Sequence, residues 1–408
     1  MRTGSDTGPS ESMVKVGFTF EMTGAWLGGA NYFRSLIAAL MSVPGRRVEP
    51  MIFAAPRDAP GLAADFPGVS VLATGMLKRL APAWLARRLL LRMTRRDVAL
   101  ERLLAAHGVD VLSHSGALGP GGRIPTIGWI ADLQHRRLPE LCSSAESAAR
   151  DATIERWHAH CSALLFSSES ARSDFERFYG KPRIPVFVIP FVPMTRPVDP
   201  GIVAQVGKKY GLPERFFYVP NQFWSHKNHR LVIEAALLLK TEGLRVDLVF
   251  TGGTHDYRNA RHYDDLVKLA AGLGEHVWFL GVVPYDDVLA LMEQALAVIN
   301  PSLFEGWSTT VEEARNLGKA VLLSNIDVHR EQAPPRGVYF EPDDARDLAD
   351  RMRQAWSDYD PQCESALRRQ HLPDVPARRR AFGAAFESAV IAVHESAGAR
   401  AGQPKGGR

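Results

Sequence analysis

Short apolar runs that end in Gly, Pro, Asn or Ser alternate with helix-length amphipathic segments along nearly all of this 408-residue chain. That alternation marks parallel sheets with crossover helices, so the fold class is α/β. Strands are expected at Val14–Phe20, Glu49–Ala54, Val109–His114, Pro125–Ile130, Ala163–Ser168 and Pro185–Ile189 in the first half. In the second half they are expected at Arg215–Val219, Val246–Thr251, His276–Leu280, Ala297–Asn300 and Ala320–Ser324, short runs of the kind buried on both faces of a sheet. The length exceeds one hydrophobic core, and the stretch 190–213, with Pro190, Pro193, Pro197, Pro200 and Gly201, breaks regular structure. The domain boundary is placed there, giving a first domain over 13–195 and a second over 196–375.

Composition narrows the function classes. No apolar run reaches the roughly 20 residues that span a bilayer, and the polar start MRTGSDTGPSESM lacks the apolar core of a secretory signal, so cytoplasmic residence is expected. Cys142, Cys161 and Cys363 are scattered, which supports neither a disulfide framework nor a zinc site. No Asp-x-Asp-type pair stands in a suitable loop, so no metal is expected. A net charge of +4 suits a phosphate-bearing ligand or an anionic membrane surface; no nucleic-acid partner is expected. The first dozen residues and the tail from Ala397 are expected to be disordered.

The most informative segment is NPSLFEGWSTTVEEARNLGKAVLL from Asn300, which reads as strand, polar loop, helix and strand. Gly306 and the Ser308-Thr309-Thr310 cluster place the helix start after Glu305, so Glu305 sits in the loop and Glu313 on the helix. First-turn amides near Thr309 to Glu312 lack internal partners and lie at the positive end of the helix dipole, which favours a phosphate. Carboxylates beside such a site accept sugar hydroxyls. The competing reading is a capping box, Thr309 with Glu312 or Thr310 with Glu313; it leaves Glu305, Gly306 and Trp307 unexplained.

FEGWSTTVEEARNLGKAV resembles the donor-site motif of the retaining glycosyltransferases of family four, the glycosyl transferases group one. The resemblance implies the GT-B fold, two Rossmann-like domains facing across a cleft, with a last helix over 376–396 returning to the first domain. It implies that Glu305 holds the sugar of a nucleotide diphosphate donor and Glu313 the ribose, with Trp307, Ser308, Thr309 and Thr310 in the same donor loop. It extends to YVPNQFWSHKN, where Lys227 would grip the diphosphate. Asn221 and Gln222 stand where the family has Gly and Arg, so one expected cation is missing; Gln222 donates hydrogen bonds without charge. Thr251-Gly252-Gly253 and Val283-Pro284-Tyr285 are further matches, and the glycines permit close backbone approach or simply a turn.

In the first half, Gly28-Gly29-Ala-Asn-Tyr resembles the family's glycine-rich loop between strand one and helix one. IADLQHRRLPE places Asp132, His135 and Glu140 after a buried-looking strand, and His135 resembles the histidine that faces the donor sugar. KRLAPAWLARRLLLRMTRRDVALER over 78–102 is basic and amphipathic. It reads either as a contact with an anionic membrane or as a packed helix with snorkelling arginines; the run Leu89 to Leu91, too broad for a clean polar face, favours packing. The expected function is retaining transfer of a hexose from a nucleotide sugar to a glycan or lipid-linked acceptor in cell-surface polysaccharide synthesis, with no further cofactor. The expected catalytic residues are His135, Glu305 and Lys227. The alternatives are a sugar-nucleotide epimerase of the same fold and a catalytically decayed binding protein at a membrane surface.

Overall fold

The computed structural model describes residues 13–20, 27–116 and 118–401. Two parallel sheets carry it. The first contains β1 (Val14–Phe20), β2 (Val48–Ala54), β3 (Ser70–Ala73), β4 (Val111–Ser113), β5 (Thr126–Ile130), β6 (Ala163–Phe166) and β7 (Val186–Val188), in the order β3-β2-β1-β4-β5-β6-β7. The second contains β8 (Phe217–Pro220), β9 (Leu248–Thr251), β10 (Val277–Phe279), β11 (Ala297–Asn300), β12 (Val321–Ser324) and β13 (Gly337–Phe340), in the order β10-β9-β8-β11-β12-β13. Every residue of β5, β6, β9 and β11 is buried, which is why these segments read as unbroken apolar runs. In each sheet the strand order reverses beside the first strand, at β1/β4 and at β8/β11, and opens a crevice at the carboxyl ends.

Two strands escape the sequence reading, β3 and β13. Both are sheet edges of four residues with mostly half-buried or exposed side chains, so neither carries the apolar run that marks a central strand. The expected strand 109–114 contracts to Val111–Ser113 because His114 adopts φ 56°, outside the extended region. Gly28 and Gly29 fall in the first turn of the helix Leu27–Met41 rather than in a loop before it; residues 21–26 lie outside the described residues.

The chain passes from the first sheet to the second through 189–199, which holds neither helix nor strand. It returns through the helix Val375–Ala401, whose Phe382, Phe386, Ala389, Val390 and Val393 complete the core under the first sheet. Gly383 is required there, because a Cβ on it would stand 2.3 Å from the Ala39 carbonyl oxygen. The amide of Val48 donates to Glu387 on the same helix at 3.2 Å. This helix runs on to Ala401, past the point where disorder was expected to begin; residues 1–12 and 402–408 lie outside the described residues.

The helix Pro82–Thr94 rests on the first domain through half-buried Trp84, Arg87, Leu90 and Leu91, with Arg87 paired to Asp97 at 2.8 Å, although none of its residues is fully buried. The broad leucine run is divided: Leu90 and Leu91 are half-buried, and Leu89 faces outward.

Candidate functional site

The loops after β8 and β11 meet at the reversal of the second sheet. The backbone amide of Leu303, after β11, donates to the carbonyl of His226, after β8, at 2.8 Å. This stitch brings together two residues 78 positions apart: Lys227 Nζ donates to Glu305 Oε1 at 2.6 Å, with side chains 14% and 9% exposed. The Ser302 hydroxyl donates to the same oxygen at 2.7 Å. Burial pushes the Glu305 carboxyl up, but the charge and hydrogen bond of Lys227 outweigh it and hold the group below its ordinary range.

Neutral imidazoles border this pair. Burial pushes His226 down to about 3, helped by the charge of Lys227, and pushes His329 down to about 4. The Nδ1 of His329 is held by the Ser324 carbonyl at 2.9 Å, while its Nε2 is buried without a hydrogen-bond partner. Asn221 Nδ2, at the end of β8, is also buried and unpartnered.

Gly252 and Gly253 let the loop after β9 press against the loop after β8. A Cβ on Gly252, at φ 145°, would lie 2.2 Å from the Asn221 carbonyl oxygen, and one on Gly253 would lie 3.0 Å from Gln222 Oε1. Gln222 therefore flanks the crevice without a charge. A cation that the sequence reading passed over stands close by: Arg258 pairs with buried Asp256 at 3.1 Å, donates to Gln134 of the first domain at 3.3 Å, and lies 3.4 Å from His226 Nδ1. Its only sequence signal is a polar loop after a strand.

The helix Thr309–Asn316 begins where expected but is capped otherwise. Ser308 is the N-cap, its hydroxyl accepting from the Val311 amide and from Asn300 Nδ2 at 2.6 Å. Neither proposed capping box forms. Glu312 is turned to Arg315, Gln332 and Arg378, the last reaching in from the C-terminal helix. Thr309 and Thr310 occupy the first turn, where amides have no partner within the helix, and the Thr310 hydroxyl donates to Asn221 Oδ1 at 3.3 Å. Glu313 accepts from the Tyr285 hydroxyl at 2.7 Å, and burial pushes its carboxyl up to about 7. Tyr285, which sequence reasoning noted only as part of a matching loop, is thus tied to a candidate residue.

Two loop residues join the domains. The Trp307 indole nitrogen donates to the Phe191 carbonyl at 3.0 Å and its ring packs on the core of the first domain, so Trp307 fastens the two halves. A Cβ on Gly306 would lie 2.4 Å from the Ala131 carbonyl oxygen and 2.8 Å from Asp132 Cβ. Only a glycine allows the β5 loop and the Glu305 loop to approach so closely. Arg137 reaches Asp327 across the cleft at 2.8 Å, and Glu331 accepts the first amides of helix Glu169–Tyr179 at 2.8 and 3.0 Å. Beside Glu305 a cavity of ≈ 340 Å³ opens between the domains, lined by Arg137, Ser170, Phe304 and Asp327 among others.

His135 is not part of this cluster. Its side chain is 1% exposed, its Nε2 lies 3.0 Å from Asp151 and 3.2 Å from the Tyr179 hydroxyl, and burial lowers its basicity more than Asp151 restores it. The short helix Gln134–Arg137 turns the ring into the first domain, where it braces the helices that carry Asp151 and Tyr179. Asp132, whose Oδ1 accepts the Gln134 amide at 3.0 Å, is the residue of that loop that approaches Gly306.

The site thus offers one cation at a carboxylate, helix amides without partners inside the helix, a second buried carboxylate and the Asn221 amide nitrogen around one crevice. That set can receive an anion flanked by hydroxyl groups.

A family model described as glycosyl transferases group 1 matches residues 206–370. Among curated proteins, the serotype-specific mannosyltransferase WbdA of Escherichia coli is 29% identical over 154 residues, 37% of this chain and 18% of that protein. The O-antigen chain mannosyltransferase RfbU of Salmonella typhimurium is 28% identical over 133 residues, 33% of this chain and 36% of its own length. The chain therefore spans well under half of these relatives. Among solved structures, a glycosyltransferase from Rickettsia africae aligns with a TM-score of 0.64 at 13% identity, covering 94% of this chain and 98% of that one. Anabaena HepE in complex with UDP and glucose aligns at 0.60 and 17% identity, covering 95% and 99%. These likenesses show the fold, which is GT-B.

Proposed function

We propose that this chain, whose residues 206–370 match the glycosyl transferases group 1 model, is a retaining hexosyltransferase that moves a sugar from a nucleoside diphosphate to a glycan or lipid-linked acceptor in cell-surface polysaccharide synthesis. The observation that carries this reading is the convergence of Lys227, Glu305 and the first turn of helix Thr309–Asn316 on the crevice where the second sheet reverses. Its mannosyltransferase relatives favour mannose as the hexose. The acceptor enters from the first domain, and the protein works at the cytoplasmic face of a membrane with residues 78–102 against an anionic bilayer. No cofactor beyond the donor is required.

In this scheme the pyrophosphate competes with Glu305 for Lys227. The ammonium and the amides of Thr309 and Thr310 then face the oxygens on which charge develops as the anomeric carbon–oxygen bond breaks. Asn221 Nδ2, otherwise without a partner, gains an acceptor from the same ligand, and His329, whose proton sits on Nδ1 toward the Ser324 carbonyl, presents a bare Nε2 that can accept from a hydroxyl. Glu305, released from Lys227, accepts sugar hydroxyls, and Glu313 accepts those of the ribose. The acceptor hydroxyl attacks the face that the diphosphate leaves, and its proton passes to the departing phosphate oxygen, so the configuration is retained. Arg258 supplies a second positive charge near the crevice that Gln222 does not. His135 acts from a distance, as a brace for the β5 loop.

Assay with a panel of UDP-, GDP- and ADP-hexoses and lipid-linked glycan acceptors tests the proposal, with the anomeric configuration of the product read by NMR. The expected result is acceptor-dependent release of nucleoside diphosphate with a retained linkage. Sugar-nucleotide conversion without acceptor would move the assignment to an epimerase.

A pH dependence follows from Glu313. Its carboxyl titrates at about 7, and the ionised form is the better acceptor for ribose hydroxyls. Nucleotide affinity is expected to be full above about pH 7 and to weaken as pH falls through it; the break should vanish in Glu313→Gln. Because the Tyr285 hydroxyl lowers this pKa, Tyr285→Phe should move the break upward. Calorimetric titration with a nucleoside diphosphate across the pH range provides the check.

A further inference from the structure

The short helix Asp327–Gln332 stands between the two domains and grips a helix start on each side. Neighbouring residues of a helix are set about 100° apart, so Glu331 and Gln332 leave it in different directions. Glu331 reaches the first domain. Its two carboxylate oxygens accept the amides of Glu169 at 2.8 Å and Ser170 at 3.0 Å, the first two of helix Glu169–Tyr179, while the third goes to the Ser168 hydroxyl. A carboxylate suits that place, because the amides lack partners inside the helix and lie at the positive end of its dipole. The other pair across this joint, Arg137 with Asp327, is exposed and contributes little.

Gln332 turns into the second domain and is 1% exposed. Its side-chain amide pairs with both backbone groups of Ser308, accepting from the nitrogen at 3.3 Å and donating to the carbonyl at 2.9 Å, and its nitrogen also donates to Glu312 at 3.1 Å. Ser308 is the N-cap of helix Thr309–Asn316, so this grip fixes the peptide from which the amides of Thr309 and Thr310 set out. The contact is returned: Arg315 on that helix donates to the carbonyls of Gln332 and Ala333, the latter at 3.0 Å. Ala333 ends the short helix at φ 40°, a left-handed conformation disfavoured for any residue with a Cβ, and the hold of Arg315 on the adjoining carbonyls helps to offset that strain.

The geometry points to Gln332 as a positioning residue for helix Thr309–Asn316 and to Glu331 as the residue through which the first domain acts on it. While Glu331 holds the start of helix Glu169–Tyr179, the short helix is fixed against both domains and Gln332 keeps the Thr309 and Thr310 amides on the crevice. Without that hold the short helix is fixed from one side only, and the orientation of the amides slackens. Affinity for an anion in the second domain thus answers to a contact with the first, and by linkage the bound anion tightens that contact by the same factor. That the anion is a nucleoside diphosphate rests on the proposed transfer reaction; the bridge between the two helix starts does not.

Calorimetric titration of the full chain with GDP and UDP tests this on the native protein, Glu331→Ala, Glu331→Gln, Gln332→Met and the double variant Glu331→Ala with Gln332→Met. The nucleotide that the native chain binds should be held at least about fivefold more weakly by Glu331→Ala and at least about tenfold more weakly by Gln332→Met. Glu331→Gln keeps one carbonyl acceptor without the charge, so its affinity should fall between those of the native chain and Glu331→Ala. The double variant should bind no more weakly than Gln332→Met, within about twofold, because the effect of Glu331 runs through its neighbour.

Glu331 is half-buried and its partners are helix-end amides that water can serve, so Glu331→Ala keeps its fold and carries the test even where Gln332→Met does not. A lower thermal midpoint in Glu331→Ala with unchanged nucleotide affinity makes the contact a structural brace alone and overturns the proposal. Losses that multiply in the double variant overturn it as well, since the two residues then act separately. Failure of the transferase reading is seen elsewhere, in a native chain that binds neither nucleotide; that result removes the reading and the coupling together, whereas failure of the coupling alone leaves native binding intact.

Discussion

Lys227→Ala will lower kcat/KM for sugar transfer by about 10³-fold, which corresponds to about 4 kcal/mol of transition-state stabilisation. The lysine is the charged donor closest to Glu305 in a crevice where neighbouring histidines are held neutral, so no adjacent imidazolium can replace it. The substitution also strands Glu305, and a lone carboxylate in that setting is strongly disfavoured. Burial already pushes this group up, so without Lys227 it will take a proton rather than persist as an unpaired anion. The fold should therefore survive, with a circular dichroism spectrum like that of the native chain. Steady-state kinetics together with that spectrum check both halves of the expectation, and native turnover by a folded Lys227→Ala protein contradicts the assignment.

The second large effect belongs to Glu305. Glu305→Gln keeps the size of the side chain and a carbonyl oxygen for Ser302, but it removes the charge that accepts sugar hydroxyls most strongly. The expected loss in kcat/KM is about 10²- to 10³-fold. The two residues differ in what they do to a product lacking the sugar. In Glu305→Gln the ammonium of Lys227 loses its carboxylate competitor, so a nucleoside diphosphate should inhibit at least as well as with the native protein. In Lys227→Ala the same inhibitor should weaken. Inhibition constants measured on both variants therefore separate the phosphate contact from the sugar contact, and equal weakening in both would assign the pair a shared structural role instead.

What was legible in the sequence is what depends on local order. The central strands are buried on both faces and announce themselves as apolar runs; Glu305 and the start of helix Thr309–Asn316 are marked by Gly306 and the Ser308-Thr309-Thr310 cluster, whereas Lys227 stood out only through the family resemblance. The edge strands Ser70–Ala73 and Gly337–Phe340 were not legible, because half-exposed strands of four residues carry no such run. Contacts made at long separation were equally hidden. Glu312 has the spacing of a capping residue, yet Arg378, 66 positions on, claims it. Trp307 lies in the segment that resembles a donor-site motif, yet its indole docks on Phe191 of the other domain. His135 sits after a buried strand, as ligand-binding residues often do, but a short helix turns it toward Asp151 and Tyr179.

The cleft is consequently set by residues that the motif does not explain by itself. Gly306 allows the Ala131–Asp132 backbone to close on the Glu305 loop, Trp307 fixes that approach, and Glu331 caps a helix of the opposite domain. These contacts position Glu305 with respect to the first domain, and in the proposed transfer between two bound partners position matters steeply. Arg378 ties the returning C-terminal helix to helix Thr309–Asn316, so both walls of the site share one brace.

Calorimetric titration of the native chain and of Lys227→Ala with GDP and UDP is the most direct measurement. The account predicts one site on the native chain for at least one of the two, competitive with its hexose derivative, and at least about tenfold weaker affinity without the lysine. Equal affinity in both proteins, or no binding of either nucleotide by the native chain, would show that the crevice between Lys227 and Glu305 does not hold a pyrophosphate.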